Sequence, residues 1–225
     1  MDKLKVIAHI HTDFPEKFGI PRQSGIIPEL KGYIVFEPEY RNPDAIKGIL
    51  EFTHLWLLWE FEGVEKETFT ATVRPPKLGG NETRGVFATR SPFRPNPIGL
   101  SSVKLENVEI TDKGPVLIVS GIDLRDNTPI FDIKPYLAYA DSHPEASNGF
   151  AEEHIKEKLI VTFGENITDR ISSEDRNTIM SILGEDPRPH YQNDPDRTYG
   201  LSYKNYNIHF KVLGNEVTVF DIDEK

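Results

Sequence analysis

SSVKLENVEITDKGPVLIVSGI, residues 101–122, contains two runs rich in β-branched residues separated by a break at Lys113-Gly114-Pro115. Each run has the length of a strand and the break has turn chemistry, so the stretch reads as two strands of an antiparallel sheet. Working outward, residues 4–10, 33–36, 54–61, 68–73 and 85–89 repeat the pattern between Pro- and Gly-bearing turns. Short strands at this spacing over the first 140 residues predict a closed or nearly closed antiparallel barrel. One helix is expected to interrupt it, with Asn42 as N-cap, Pro43 in the first turn and an apolar stripe of Ala45, Ile46, Ile49 and Leu50, serving as a lid or a plug. Past Asp141-Ser142-His143-Pro144 the pattern changes. A strand at 159–163, a helix starting at Ser172-Ser173-Glu174-Asp175 and carrying Ile179, Ile182 and Leu183, and a meander at 199–203, 207–212 and 216–220 turned by Gly214-Asn215 form a second unit. The expectation is a mainly β chain: an antiparallel β-barrel domain over 1–142, without a Rossmann fold, then a small α+β domain over 143–225.

Of the 225 residues 37% are hydrophobic and 28% charged, enough to fill a core and cover a soluble surface. There is no cysteine, which excludes disulfides, thiolate metal sites and a cysteine nucleophile. The apolar run after Lys5 is only five residues long and is broken by His9, too short for a signal-peptide core or a membrane span, so a cytoplasmic location is expected. The net charge of −10 argues against a nucleic-acid partner, but its distribution does not. Between positions 74 and 104 stand six bases and one acid, a local +5, whereas from Asp141 onward 17 acids face 9 bases, a net −8.

The common cofactor and nucleophile signatures fail. No G-x-G-x-x-G follows a strand, and no G-x-S-x-G is present. Gly80 to Gly85 has the glycine spacing of a phosphate loop but leads into Val86-Phe87, where Lys-Ser/Thr is required. His9 and His11 share one face of a strand, yet without a third ligand they read as surface or half-buried histidines and no metal is expected.

The stretch from Arg84 to Ser101 is different. Three prolines within six residues, Pro92, Pro95 and Pro97, lock an extended loop that bears Arg90, Arg94, Asn96 and Ser91. Such a loop presents guanidinium and amide groups with little ordering entropy left to lose on binding; the alternative is a stiff loop that closes a barrel. Two further polar clusters share the character: Phe18 to Gln23, with Arg22 and Gln23 just after a proline turn, and Asp123 to Pro129, with Asp123 and Asp126 at a strand exit. In the strand-like segment that follows, Asp132 and Lys134 face either a barrel mouth or solvent.

Ile20-Pro21-Arg22-Gln23, Phe52-Thr53-His54-Leu55-Trp56, Val73 to Asn81, the proline-locked loop, Asp123 to Pro129 and Asp132 to Tyr136 together resemble the TsaA-like family, the TrmO-type tRNA adenosine methyltransferases. Glu185-Asp186-Pro187-Arg188-Pro189, Tyr191 and Tyr199-Gly200 extend the resemblance through the second unit. It implies a β-barrel methyltransferase that uses S-adenosylmethionine, acts as a homodimer with its cofactor near the subunit interface, and adds a methyl to N6 of threonylcarbamoyladenosine beside the anticodon of a tRNA. By similarity the cofactor contacts fall on Pro21, Arg22, Gln23, Phe61, Glu62, Arg90, Leu100, Gly121, Asp123, Leu124 and Asp126, with Glu62 acting through its backbone. Asn127 stands where members often carry Gly, and since Asn tolerates a left-handed backbone the turn is expected to survive.

Methyl transfer from a sulfonium needs neither metal nor covalent enzyme intermediate, and its positive charge is cancelled in the transition state. A carboxylate near sulfur would therefore favour the ground state, which places Asp123 and Asp126 at the adenosine or amino-acid end of the cofactor. Asp126 is the expected acceptor of the N6 proton, Arg94 or Arg22 the partner of the threonyl carboxylate, and Asn96 the reader of the carbamoyl edge. Arg74, Lys77 and Arg84 are assigned to anticodon-loop phosphates, with Phe93 as a stacking surface or a core residue. The rival reading is a non-catalytic RNA- or nucleotide-binding barrel.

Overall fold

The structure is a computed structural model that describes residues 4–64, 68–75, 82–154, 158–188 and 194–224. Six strands close the first unit: β1 (Ala8–Thr12), β2 (Lys31–Phe36), β3 (His54–Glu60), β6 (Ile98–Thr111), β7 (Gly114–Ser120) and β8 (Thr128–Pro135), in spatial order β1-β2-β7-β6-β3-β8 and antiparallel throughout. Alternation decides which face turns in. Leu55, Leu57 and Trp59 of β3 and Val103 and Leu105 of β6 are buried while their neighbours point out.

The short pair β4 (Thr72–Val73) and β5 (Arg84–Gly85) replaces the longer strands expected at 68–73 and 85–89; a 3₁₀ turn at Val86–Ala88 ends β5. The helix expected after Asn42 is two 3₁₀ turns, Pro43–Ile46 and Ile49–Glu51. The Asn42 side chain caps the first, accepting from the Asp44 N–H at 3.0 Å, and Gly48 at φ +84° separates the two. Ile46 and Ile49 still pack on the core, between the end of β2 and the start of β3. They plug the barrel end away from the loops that bear the arginines.

After a four-residue helix α1 (Ala138–Asp141), the second unit is a sheet of order β10-β11-β12-β9, made of β9 (Ile160–Phe163), β10 (Tyr199–Tyr203), β11 (Tyr206–Leu213) and β12 (Glu216–Glu224). β9 and β12 are parallel neighbours, and α2 (Ser173–Gly184), which Ser172 caps through the Asp175 N–H at 3.0 Å, lies in the chain between β9 and β10. One apolar core runs through both units. The seam is the β1–β2 connection: Phe14 packs on Tyr203 with ring centroids 5.5 Å apart, and Phe18 stacks on Phe210 at 6.4 Å. No helix of the described residues is long and apolar enough to cross a membrane.

Candidate active site

At the barrel end where β1, β3 and β7 finish, the loops converge on a cleft of about 770 Å³. Its wall is made by Pro21, Arg22 and Gln23 of the β1–β2 connection, Trp59, Phe61 and Glu62 after β3, Arg90 and Arg94 of the proline-locked loop, Leu100 and Ser102 of β6, and Asp123, Leu124 and Arg125 of the β7–β8 connection. Four stretches that are distant in the chain therefore meet, because antiparallel neighbours start and stop at the same end.

Asp123 anchors the floor. Its Oδ1 accepts from Ser101 Oγ at 2.6 Å, and that hydroxyl accepts from the Trp59 indole N–H at 2.9 Å. Ser101 is fully buried and Trp59 nearly so. Burial pushes the Asp123 carboxyl up to about 6, against the opposing pull of the Ser101 hydroxyl, backbone N–H groups and Arg90. Gly99 is required beside it, because a Cβ there would lie 2.2 Å from the Trp59 ring. Gly121, at φ +71°, lies beneath the cleft without lining it, and its carbonyl accepts from the Gly25 N–H at 2.8 Å, tying the Arg22 segment to the Asp123 segment.

The arginines divide. Arg90 is exposed and donates to Gln23 Oε1 in the cleft. Arg94 lines the cleft but its Nη1 bonds the carbonyls of Thr89 (2.8 Å), Val86 (3.4 Å) and Ser91 (3.4 Å), so it staples its own loop. Arg125 pairs with Glu62 at 2.5 Å across the cleft mouth, and Lys17 donates to the Glu62 carbonyl at 3.1 Å. Trp56, on the outer face of β3, is held by Asp141 Oδ2 at 2.9 Å.

Two expected catalytic residues stand apart. Asp126 is not in the cleft wall; its Oδ1 accepts the Thr12 N–H at 3.0 Å and faces His11 Nδ1 at 3.2 Å. Asn96 is exposed on the proline loop, also outside the wall. Asn127 holds φ +63° and its N–H reaches the Ile10 carbonyl at 2.8 Å, so the turn exists without glycine. Of the residues assigned to phosphates, Arg74 is exposed beside β4, Arg84 pairs with Glu82 at 2.8 Å and lies over Phe150, and Lys77 lies outside the described residues. His9 pairs with Glu37 at 2.7 Å, and Asp132 pairs with Lys134 at 2.7 Å on the solvent side. Ser101, Trp59, Arg125 and Lys17 have no role in the sequence reading, although Ser101 and Arg125 lie within segments it singles out. The signal for Ser101 was its inward register on a strand opposite a tryptophan, which only pairing reveals.

The cleft suits S-adenosylmethionine. Its volume is that of a small-molecule site. Phe61, Leu100 and Leu124 offer apolar contact for a purine, the half-buried Asp123 an acceptor for hydroxyl or ammonium hydrogens, and Arg22 and Arg90 donors for a carboxylate.

Comparison with known proteins agrees. The tRNA-methyltransferase O N-terminal domain matches residues 9–142 and the TrmO C-terminal domain residues 156–225. The tRNA (adenine(37)-N6)-methyltransferase of Escherichia coli is 35% identical over 227 residues, 97% of each chain. An S-adenosylmethionine-dependent methyltransferase of Pseudomonas aeruginosa, itself only putatively so named, is 38% identical over 91% of this chain and 90% of its own. A crystal structure of TrmO from P. aeruginosa superposes with a TM-score of 0.79 and 31% identity, covering 100% of this chain and 98% of that one. With both domains matched in order, the chain belongs to the tRNA-methyltransferase O family.

Proposed function

We propose that the chain transfers a methyl group from S-adenosylmethionine to N6 of adenine 37 in tRNA, and that the adenine accepted is the threonylcarbamoyl form. The observation that carries this reading is the convergence of Pro21-Arg22-Gln23, Arg90 and the half-buried Asp123 on one cleft at the barrel end. When bound, the cofactor supplies an electrophilic methyl on a sulfonium. The residues of the chain bind and orient. Asp123, fixed by Ser101, accepts hydrogens from the cofactor's polar end, and Arg22 and Arg90 take its carboxylate. Trp59 and Phe61, with ring centroids 4.2 Å apart, shape the apolar wall. The N6 lone pair is delocalised into purine and carbamoyl, so alignment carries the rate, and good alignment is worth about 7–11 kcal/mol.

Arg94 is engaged within its own loop and Arg22 is given to the cofactor, so neither is assigned to the threonyl carboxylate. Asp126, outside the cleft wall, is assigned to tying the β7–β8 connection to the end of β1, and the N6 proton leaves to water or to a group at the cleft mouth. Arg74, exposed beside β4, is assigned to anticodon-loop phosphates together with Arg84, which phosphate would draw from Glu82. Leu100 in the cleft wall and Phe87 against Arg94, 58% and 71% exposed, support a homodimer that covers them. The cytoplasm, where tRNA resides, is the proposed location.

Calorimetric titration with S-adenosylmethionine should give binding, and Arg90→Ala should weaken it about tenfold or more while leaving the melting temperature near wild type, because Arg90 is exposed. Incubation of the protein with tRNA bearing or lacking threonylcarbamoyl, followed by nucleoside mass spectrometry, should yield the methylated product only from the modified tRNA. Methylation of both would reject the substrate form. Cofactor binding without any methylation would favour the RNA-binding module.

A further inference from the structure

Arg188 stands after α2 in the second unit, 8% exposed, and does not line the cleft. Its Nε donates to Asp186 Oδ1 at 2.7 Å and its Nη2 to Asp186 Oδ2 at 3.1 Å, while its guanidinium lies over the Tyr199 ring, 6.0 Å from the centroid. The two side chains of the pair are only 10% and 17% exposed. A two-point guanidinium–carboxylate pair removed from water holds one geometry, because breaking either bond strands a charge.

The pair shapes the backbone that carries it. Asp186 sits at φ +50°, a left-handed value that an Asp reaches at small cost, and the turn it makes aims two carbonyls the same way. The Asp186 carbonyl lies 3.3 Å and the Arg188 carbonyl 3.4 Å from Arg22 Nη2, and both accept from it. Arg22 belongs to the cleft wall. From Arg22 the contacts continue inside the cleft: its carbonyl accepts from the Gln23 amide, and Gln23 Oε1 accepts from Arg90. A backbone turn of the second unit therefore holds the guanidinium of a cleft-wall residue, and the backbone carbonyl of that same residue is linked through Gln23 to Arg90.

We propose that Arg188, locked by Asp186, is a positioning residue for the cofactor cleft, holding the Arg22 guanidinium, and through Gln23 that of Arg90, at the place where the carboxylate of the cofactor binds. This rests on the reading that the cleft takes S-adenosylmethionine. The acidic second unit thus completes the cofactor site of the barrel, although among the described residues none of its side chains enters the cleft wall.

The test is a double-mutant cycle on cofactor affinity, read by calorimetry with the full-length protein. Arg188→Ala should raise the Kd for S-adenosylmethionine about tenfold, the usual scale for loss of a group that orients a binding residue. Arg188→Lys should recover only part of this, because an ammonium cannot make the two-point contact. In an Arg22→Ala background, Arg188→Ala should add nothing further. Reciprocity supplies a second readout: adding the cofactor should slow amide exchange at Asp186 and Arg188 in wild type but not in Arg22→Ala. If Arg188→Ala does not melt cooperatively, the neutral pair Asp186→Asn with Arg188→Gln is judged by the same criteria. A wild-type Kd in these variants, even with a lowered melting temperature, or a full additive loss on top of Arg22→Ala, would overturn the inference and leave Arg188 as a staple between the units. Failure of the wild type itself to bind the cofactor would instead reject the reading of the cleft.

Discussion

Asp123 and Arg94 have the same kind of sequence neighbourhood, a polar residue at a strand exit or in a stiff loop, yet their surroundings give them opposite work. Arg94 turns back on three carbonyls of its own loop, whereas Asp123 looks into the cleft from a buried floor held by Ser101. Burial raises the Asp123 carboxyl to about 6, compared with about 4 for an unfolded aspartate. A carboxyl with the higher pKa in the fold binds its proton more tightly there, so its stabilising contribution is fully present below about pH 4 and is lost as pH rises through 6. The cofactor-free protein should lose about 1–2 kcal/mol from this group between pH 4 and 7, the full two-unit shift being reduced for partial exposure. Asp123→Asn keeps an acceptor for Ser101 and carries no charge. In urea denaturation at pH 7.5 it should be about 1–2 kcal/mol more stable than wild type while its cofactor affinity falls about tenfold or more. Identical pH profiles for the two proteins would mean that Asp123 titrates as a solvated carboxyl. The clustering of polar residues at Asp123 to Pro129 was visible in the sequence. Which of the two aspartates faces the cleft was not, since Asp123 and Asp126 differ only in what β1 and β6 bring beside them.

Between strands the decisive contact is that of β3 with β6, where Trp59 lies directly opposite Gly99. The indole occupies the space of the missing side chain and from there reaches Ser101. Gly99→Ala should push the ring out, cost about 1–3 kcal/mol as overpacking, and shift the tryptophan emission to the red. It should also weaken cofactor binding, because the Ser101–Asp123 bond loses its support. A variant with native emission and native affinity would show that the ring can yield without consequence. The strands with strong apolar alternation were legible from their residues alone. The segment after Asn42 was not a helix because Gly48 adopts a left-handed conformation. Its cap and two of its apolar residues, Ile46 and Ile49, serve a pair of 3₁₀ turns equally well, whereas Ala45 and Leu50 of the expected stripe are exposed. Residues 85–89 lack a long partner strand and curl into a turn after two paired residues.

Across the molecule the two units share a single apolar core through the β1–β2 connection, where Phe14 is fully buried against Tyr203 and the Lys204 N–H bonds the Asp13 carbonyl at 2.9 Å. Calorimetry should therefore show one cooperative unfolding transition, and Phe14→Ala should destabilise the whole by about 3–5 kcal/mol and not release one unit alone. Two resolved transitions in wild type would show that the units fold independently. The sequence by itself determined the barrel, the α+β second unit and most of the residues around the cleft. Period-two alternation, turn chemistry and several ordered motifs are local in the chain, and local preferences survive without knowledge of neighbours. Only the tertiary structure decided that Arg94 serves its own loop, that Asp126 lies outside the cleft, that Ser101 and Trp59 stand under Asp123, and that Arg188 reaches Arg22. Each of these depends on strand register and on the docking of distant segments, where a shift of one residue turns a side chain to the opposite face.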